Sequence, residues 1–343
     1  MRSPKQVPPS PHRTHRPSVA RGRIRRIAAT LVTGALAFAS AAACGEATPA
    51  EPESGHTVTI DHTMGSTTID GIPERIVALG TQWLDATQVL GVTPVGYIDN
   101  VALTTGGSPG PWEPAELANA TAIDARGDIV EQVAALNPDL VLAPGFATDQ
   151  QSYDRLSRLA PTLPSISTSQ IESWESQVEI MGRILDKEDQ ARSVTDDVHA
   201  RIGEVAARNP GLAGKTFATT YLHGPTQLMV LADPDDGAAD LFADLGLALP
   251  QNLVDQAGAG GRIPLSPERV NELNVDLLVM TGQEGFQSSA TSLPGWDDLP
   301  AVRKNGVAFL DLATGTGLNV PSPLSIPYVL DALEPALAGA AQG

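Results

Sequence analysis

The stretch DKEDQARSVTDDVHARIGEVAARN, residues 186–209, contains nothing that ends a helix before the Asn-Pro-Gly at its close. Its apolar residues recur at steps of three and four, the spacing of one helix face. They are Ala191, Val194, Val198, Ile202 and Val205. At 1.5 Å per residue, these 24 residues reach about 36 Å, roughly the width of a small domain. An ordinary surface helix has the same pattern, so the flanking sequence decides whether this helix joins two globular parts.

Short apolar runs alternate with helical patterns on both sides of this stretch. Before it, strands are predicted at residues 75–79, 94–98, 139–143 and 163–167, with helices at 83–90, 129–136, 152–159 and 173–185. After it, strands are predicted at 216–222, 227–231, 276–280 and 307–310, with helices at 238–245, 267–273 and 324–337. Such alternation is typical of parallel sheets covered by helices. We therefore predict an α/β fold with an N-terminal lobe (57–185), a spanning helix (186–209) and a C-terminal lobe (210–343).

A short internal repeat supports the two-lobe prediction. EQVAALNPDLVL begins at Glu131 and ERVNELNVDLLV begins at Glu268, and six of their twelve positions are identical without a gap. Each copy reads as a short helix, a turn and a buried strand. Hydrophobic patterning does not require the shared Glu, Asn and Asp, so the same unit is expected once in each lobe.

The charge is unevenly distributed. Eight of the 22 Lys and Arg residues lie within the first 27 positions, so the remainder carries 14 bases against 40 acids. Nucleic acids and anionic lipid surfaces need a basic footprint, which this acidic remainder lacks. We therefore exclude a nucleic-acid partner and expect a neutral or cationic ligand.

The N-terminal 43 residues resemble an export signal. A basic segment precedes a run of mostly small apolar residues at 27–43, which is too short and too weakly apolar for a membrane-spanning helix. Cys44, the only cysteine, follows directly and resembles the lipidated cysteine of bacterial lipoproteins, although Ala41 stands where Leu is usual. We predict a lipoprotein signal peptide (1–43), a palmitate-type anchor at Cys44 on the outer face of the cytoplasmic membrane and a flexible tether (44–56). Secretion without a lipid anchor remains an alternative. Export by either the Sec or the twin-arginine route also remains open.

Three segments carry a family resemblance that extends from about residue 57 to 337. They are PERIVALGTQWLDATQVLGVTPVGY (73–97), LNPDLVLAPG (136–145) and LSPERVNELNVDLLV (265–279). In order and spacing they resemble the periplasmic binding proteins that serve ABC importers of ferric siderophores, haem and cobalamin. The resemblance implies two Rossmann-like lobes joined by a rigid helix, a ligand cleft between the lobes, and delivery of the ligand to a membrane permease. An exported enzyme, such as a hydrolase, is an alternative of another class, which the absence of nucleophile and metal-ligand motifs disfavours, so no enzymatic activity is predicted.

The resemblance assigns Glu131 and Glu268 to docking on the permease, since the family places a glutamate at the tip of each lobe. Both residues begin a copy of the repeat and lie at predicted helix N-termini, which in a parallel α/β unit face the carboxyl edge of the sheet. An ordinary helix start also favours an acid there, and Asp128 with Glu131 reads as a capping box. Docking and capping therefore remain alternatives for each glutamate.

Ligand contacts are expected on loops that follow strands, because a large metal chelate needs flat apolar surfaces and a few hydrogen-bond donors. The candidates are Trp83, Trp112, Phe146, Tyr221, His223, Arg262 and Phe286. Arg262 follows a glycine-rich segment and could reach a hydroxamate or carboxylate oxygen. Each candidate taken singly is as consistent with packing as with ligand contact. Trp174 is predicted in the core, and Trp296 fits either role.

Several chemistries lack the residues they need. The histidines after the leader do not form a recognisable metal-ligand set in the sequence, so iron is expected only within its chelator and no cofactor is predicted. There is no calcium loop, dinucleotide fingerprint or Gly-x-Ser-x-Gly nucleophile motif. We therefore predict a monomeric, lipid-anchored solute-binding protein that carries a ferric siderophore. Haem or cobalamin cargo, with Tyr221 or His223 on haem iron, is the alternative, and a ligand-presenting sensor lipoprotein is a third.

Overall fold

The computed structural model describes residues 55–144, 149–222, 227–258 and 260–342. The predicted signal peptide, Cys44 and all but the last two tether residues lie outside these ranges, as do the ligand candidates Phe146 and His223.

The first lobe contains a hairpin and a parallel sheet. The hairpin pairs β1 (Thr57–His62) with β2 (Gly65–Asp70) in antiparallel register. The sheet contains β3 (Ile76–Ala78), β4 (Gly96–Tyr97), β5 (Thr121–Ala122), β6 (Leu140–Leu142) and β7 (Thr162–Leu163), in the order β5-β4-β3-β6-β7. Its helices are α1 (Thr81–Val89), α2 (Asn100–Thr105), α3 (Ile129–Ala135), α4 (Gln150–Leu156) and α5 (Trp174–Ile184), with a 3₁₀ turn at Ala115–Asn119.

The long helix α6 (Glu188–Arg208) follows the first lobe, where the apolar spacing predicts it. Ala191, Val198, Ile202 and Val205 are buried, and Val194 is partly buried against the core. Neighbouring α5 packs along α6 from the first lobe. The helix ends at Arg208 because Asn209 leaves helical geometry and the next residue is proline.

The second lobe repeats the α/β arrangement. Its strands are β8 (Phe217–Leu222), β9 (Leu228–Leu231), β10 (Arg262–Leu265), β11 (Leu277–Thr281) and β12 (Val307–Leu310), in the order β10-β9-β8-β11-β12. β8, β11 and β12 are parallel, whereas β9 is antiparallel to both neighbours. The helices are α7 (Gly237–Asp244), α8 (Gln251–Val254), α9 (Phe286–Thr291), α10 (Pro300–Arg303), α11 (Leu312–Asn319) and α12 (Ser325–Ala341). Three 3₁₀ turns occupy Pro210–Leu212, Pro267–Glu272 and Trp296–Asp298.

The two sheets share one strand order, which confirms the two-lobe α/β fold. In each five-stranded sheet the strand that comes first in the sequence is central, and the repeat supplies the strand beside it: β6 next to β3, and β11 next to β8. The shared aspartate has one role in both lobes. Asp139 accepts hydrogen bonds from the backbone amides of Glu74 and Arg75, and Asp276 accepts one from Thr216. Each carboxylate thus fixes the start of the neighbouring central strand.

Some local predictions differ from the structure. The helix predicted at 267–273 is a 3₁₀ turn at Pro267–Glu272. Arg262, which is predicted on a loop, begins a strand. Five helices have no counterpart among the predictions: α2, α8, α9 and α10 are short, and α11 contains two glycines. Among the described residues, no helix has both the length and the apolar character needed to cross a membrane.

Candidate functional site

A cavity of about 380 Å³ lies between the lobes, where the strands of the second sheet end. The first lobe contributes α2, and the second contributes its strands and α11. The lining residues are Asn100, Leu103, Thr104, Thr219, Thr220, Tyr221, Met229, Leu231, Ala238, Arg262, Thr281, Gly315, Thr316, Leu318, Asn319 and Val320. A crevice at the carboxyl ends of strands is the usual ligand site of an open α/β sheet.

The lining is mostly neutral, with hydroxyl and amide groups beside aliphatic ones. Arg262 is the single charged residue among the described lining residues, and no carboxylate lines the cavity. The acidic charge of the whole chain therefore does not extend into the cleft. The described lining therefore offers hydroxyl, amide and guanidinium groups, and it gives no support to the cationic half of the expected neutral or cationic ligand.

Arg262 is held rigidly. Its Nη1 donates to Asp236 Oδ2 at 2.9 Å, and its Nη2 donates to Asn319 Oδ1 at 2.8 Å. Asp236 is 2% exposed and also accepts from the backbone amide of Ala238 at the start of α7. An arginine fixed in this way loses little side-chain freedom when it binds a ligand oxygen. The guanidinium is therefore a preformed donor at the cavity wall.

The lobes touch directly beside the cavity. Thr104 on α2 and Thr316 on α11 are hydrogen-bonded through their hydroxyl oxygens at 3.0 Å. The ring of Trp112, from the first lobe, lies 5.6 Å from that of Tyr328 on α12. A Cβ atom added at Gly317 would come within 2.4 Å of the Trp112 ring, so the close approach requires glycine. These contacts fix one side of the cleft.

A buried pair of acids lies in the same joint. Asp85 on α1 is completely buried and accepts a hydrogen bond from Ser322 of the second lobe. Burial, followed by the nearby Glu113 carboxyl, raises the pKa of Asp85 well above its usual value. Burial also raises the pKa of Glu113, whose Oε2 accepts from Gln88. Two buried acids without a cation between them favour a shared proton.

The structure brings two of the seven predicted ligand residues to the cavity. Tyr221 and Arg262 line it. Trp83 does not, because it lies within α1 and is completely buried in the core. Trp112 packs between the lobes, and Phe286 packs against Phe309 at 5.8 Å in the second-lobe core. The positions of Trp83, Trp112 and Phe286 therefore do not support their predicted role as ligand contacts.

The other large aromatic residues are packing residues. Trp174 is 3% exposed, as its helical pattern predicts, and Trp296, for which both roles are open in the sequence, is 6% exposed in the core. The threonines and asparagines that line the cavity were not predicted. Their positions follow from strand ends and from α2 and α11, and no motif marks them in the sequence.

Glu131 and Glu268 occupy equivalent surface positions. Each lies in the first turn of a short helical segment, and each is exposed. Asp128 caps α3 by accepting from the Glu131 amide at 3.1 Å, so the Glu131 side chain is not required for the cap. In the part of the chain that the structure describes, neither glutamate side chain makes a hydrogen bond or an ion pair.

Comparison with known proteins places this site in a family context. A family described as "Periplasmic binding protein" matches residues 76–313. A curated Fe(3+)-citrate-binding protein of Bacillus subtilis is 26% identical over 262 residues, covering 74% of this chain and 78% of the relative. A ferric-anguibactin-binding protein of Vibrio anguillarum is 25% identical over 291 residues, covering 80% and 85%. The crystal structure of a periplasmic solute-binding protein from Mycobacterium smegmatis superposes with a TM-score of 0.68 at 27% identity, covering 83% of this chain and 99% of that one.

Proposed function

Because the chain belongs to the periplasmic binding protein family, we propose that it is an extracytoplasmic solute-binding protein that captures a ferric siderophore and delivers it to an ABC permease. The observation that carries this proposal is the interlobe cavity, whose lining is neutral apart from the fixed Arg262. Ferric chelates expose hydroxamate, catecholate or carboxylate oxygens around the metal. Threonine hydroxyls, asparagine amides and one guanidinium are suitable donors to such oxygens.

Ferric cargo is also supported by the relatives, which are named for ferric citrate and ferric anguibactin. These names give no support to haem or cobalamin, so neither is carried forward as cargo. The neutral lining separates this site from a direct metal-ion site, which would need several converging anionic or imidazole ligands. We therefore take the intact chelate, not free iron, as the ligand.

Binding is tested by tryptophan-fluorescence titration of the chain from residue 45 onward. Trp112 touches Gly317 of α11, the helix that lines the cavity, so a bound coloured chelate is expected to quench its emission. One ferric class among hydroxamate, catecholate and carboxylate chelates should give saturable quenching with a Kd below about 1 μM, or about −8 kcal/mol. The iron-free chelators and haem serve as controls. Absence of saturation with every ferric class would contradict the proposal.

Delivery is proposed to use Glu131 and Glu268 as paired docking residues on the two lobes. Each single change to lysine is expected to reduce iron-chelate uptake, because a like charge placed at a charged interface costs several kcal/mol. The double variant is expected to abolish uptake. Since neither residue lines the cavity, ligand affinity should stay unchanged.

Glu116→Lys provides the matched control. Glu116 is an exposed acid in the first turn of the 3₁₀ segment Ala115–Asn119 and lies outside the repeat, so uptake should be normal. Loss of ligand affinity in the Glu131 or Glu268 variants would place that residue at the binding site and refute docking.

The protein is further proposed to be held at the membrane by lipid on Cys44. Supporting this is the position of the single cysteine, directly after a run of small apolar residues. Cys44→Ser should release the protein from the membrane fraction, and unchanged fractionation would refute the anchor.

A further inference from the structure

Three helices bring a histidine and two carboxylates together away from the cavity. Glu175 lies on α5, His199 on the spanning helix α6 and Asp244 at the end of α7. One ligand atom from each lies within 4.8 Å of the others. None of the three lines the interlobe cavity. These residues are separated by 24 and 45 positions, so they form no recognisable metal-ligand set in the sequence.

The spacing suits a small divalent ion. His199 Nε2 and Glu175 Oε1 are 3.2 Å apart. Two ligands bound at 2.0–2.1 Å to a tetrahedral Zn²⁺ lie about 3.4 Å from each other. All three ligand atoms lie within 4.8 Å of one another, so an inward shift of about 1.4 Å or less brings any pair to this spacing, and His199 and Asp244 are exposed.

Two of the ligands are already oriented by their neighbours. Ser173 Oγ donates to Glu175 Oε2 at 2.6 Å, which leaves Oε1 facing His199. The buried Trp174 ring meets the His199 ring edge-on at 5.6 Å. Hydrogen bonds and packing that fix ligand orientation are typical of metal sites. The imidazole also distinguishes this cluster from an ordinary patch of surface acids.

The charge around the cluster is unbalanced. Asp240, one turn before Asp244 on α7, adds a further acid beside Glu175 and Asp244. A bound cation would relieve the repulsion among these acids, whereas the histidine alone offers at most one positive charge.

We propose that Glu175, His199 and Asp244 form a binding site for one divalent transition ion of the Zn²⁺ class. Imidazole with two carboxylates suits Zn²⁺, whereas Mg²⁺ and Ca²⁺ prefer all-oxygen sites. The ion would join a helix of the first lobe, the spanning helix and a helix of the second lobe. It would thus act as a structural clamp on the interlobe geometry, separate from the siderophore cargo.

The test is isothermal titration of the chelator-treated mature protein with Zn²⁺, with Mg²⁺ as the comparison ion. One equivalent of Zn²⁺ should bind, raise the midpoint of thermal unfolding by about 2–4 °C at saturating metal, and change Trp174 emission. Mg²⁺ should produce none of these three effects. His199→Ala and Asp244→Asn should each lower Zn²⁺ affinity by at least about tenfold, since each removes one of three ligands.

Glu179→Gln is the matched control. Glu179 is an exposed acid one turn beyond Glu175 on α5, and its removal should leave the Zn²⁺ affinity unchanged. Circular dichroism of each metal-free variant establishes that it is folded. The proposal is overturned if stoichiometric Zn²⁺ binding is absent, or if His199→Ala binds Zn²⁺ as tightly as the parent protein, because the ion would then sit at other surface groups.

Discussion

Replacing Arg262 with glutamine is expected to weaken binding of the ferric siderophore by about 10- to 100-fold, since hydrogen bonds from a charged donor contribute about 1.5–3 kcal/mol. The guanidinium is the single charged group among the described cavity-lining residues, and two partners hold it in place. Lysine at this position keeps the charge but loses the planar fork of donors. The affinity of Arg262→Lys for the ferric chelate should therefore lie between that of the parent protein and that of Arg262→Gln. Fluorescence titration with the ferric chelate measures both effects.

The same arginine also compensates a buried charge, so the binding effect has to be separated from instability. Asp236 is 2% exposed and would lose its ion pair, although a glutamine amide can still donate to it. Thermal unfolding of each variant checks for this loss. Arg269→Gln serves as the control, because Arg269 pairs with Glu272 on the surface outside the cavity. A folded Arg262→Gln protein with parental affinity would remove Arg262 from the binding site.

The fold was predictable because its main signals are local in the sequence. The stripe from Ala191 to Val205 is periodic over about four turns, and burial of Ala191, Val198, Ile202 and Val205 follows directly from it. The repeat was equally informative, since Asp139 and Asp276 each secure the start of a central strand through backbone amides. Because both lobes have the same strand arrangement, both need a carboxylate acceptor at this position.

The site was less predictable, because aromatic residues near strand ends have several possible roles. Trp83 follows a strand by only a few residues, yet α1 turns its ring into the core. Trp112 is on an irregular loop, as predicted, but it fills the space left by Gly317 between the lobes. Sequence position could not distinguish these outcomes from ligand contact. Arg262 lines the cavity, and its anchoring by Asp236 and Asn319 depends on residues distant in sequence.

The contacts between the lobes suggest a joint that resists large hinge motion. The spanning helix packs on α5, α7 and α12, so both lobes share its buried face. On the cavity side, α2 meets α11 through Thr104 and Thr316. Gln82 on α1 also donates to the backbone carbonyls of Glu172 and Pro321. The most unusual part of this joint is the buried acid pair of Asp85 and Glu113.

Asp85→Asn is expected to stabilise the protein at neutral pH and to have little effect near pH 4. The raised pKa of Asp85 means that the folded protein retains a proton that the unfolded chain releases above about pH 4. Stability therefore falls by about 1.4 kcal/mol per pH unit as the pH rises from that value towards the folded-state pKa. Asparagine does not titrate. Its oxygen can accept from Ser322, and its amide can donate towards Glu113.

Thermal or urea unfolding between pH 4 and pH 8 measures the difference between the parent protein and the variant. The stabilisation by Asp85→Asn should grow through this range and become constant above the raised pKa. Among the residues that the structure describes, the charged groups that act on Asp85 are Glu113 and Asp99, both acids, so none of them reverses the sign. Asp197→Asn, on the exposed face of α6, should show no such pH dependence. If Asp85→Asn instead destabilised the protein at pH 7, the carboxyl would be ionised in the folded state, and its contact with Ser322 would be a charge-assisted tie between the lobes.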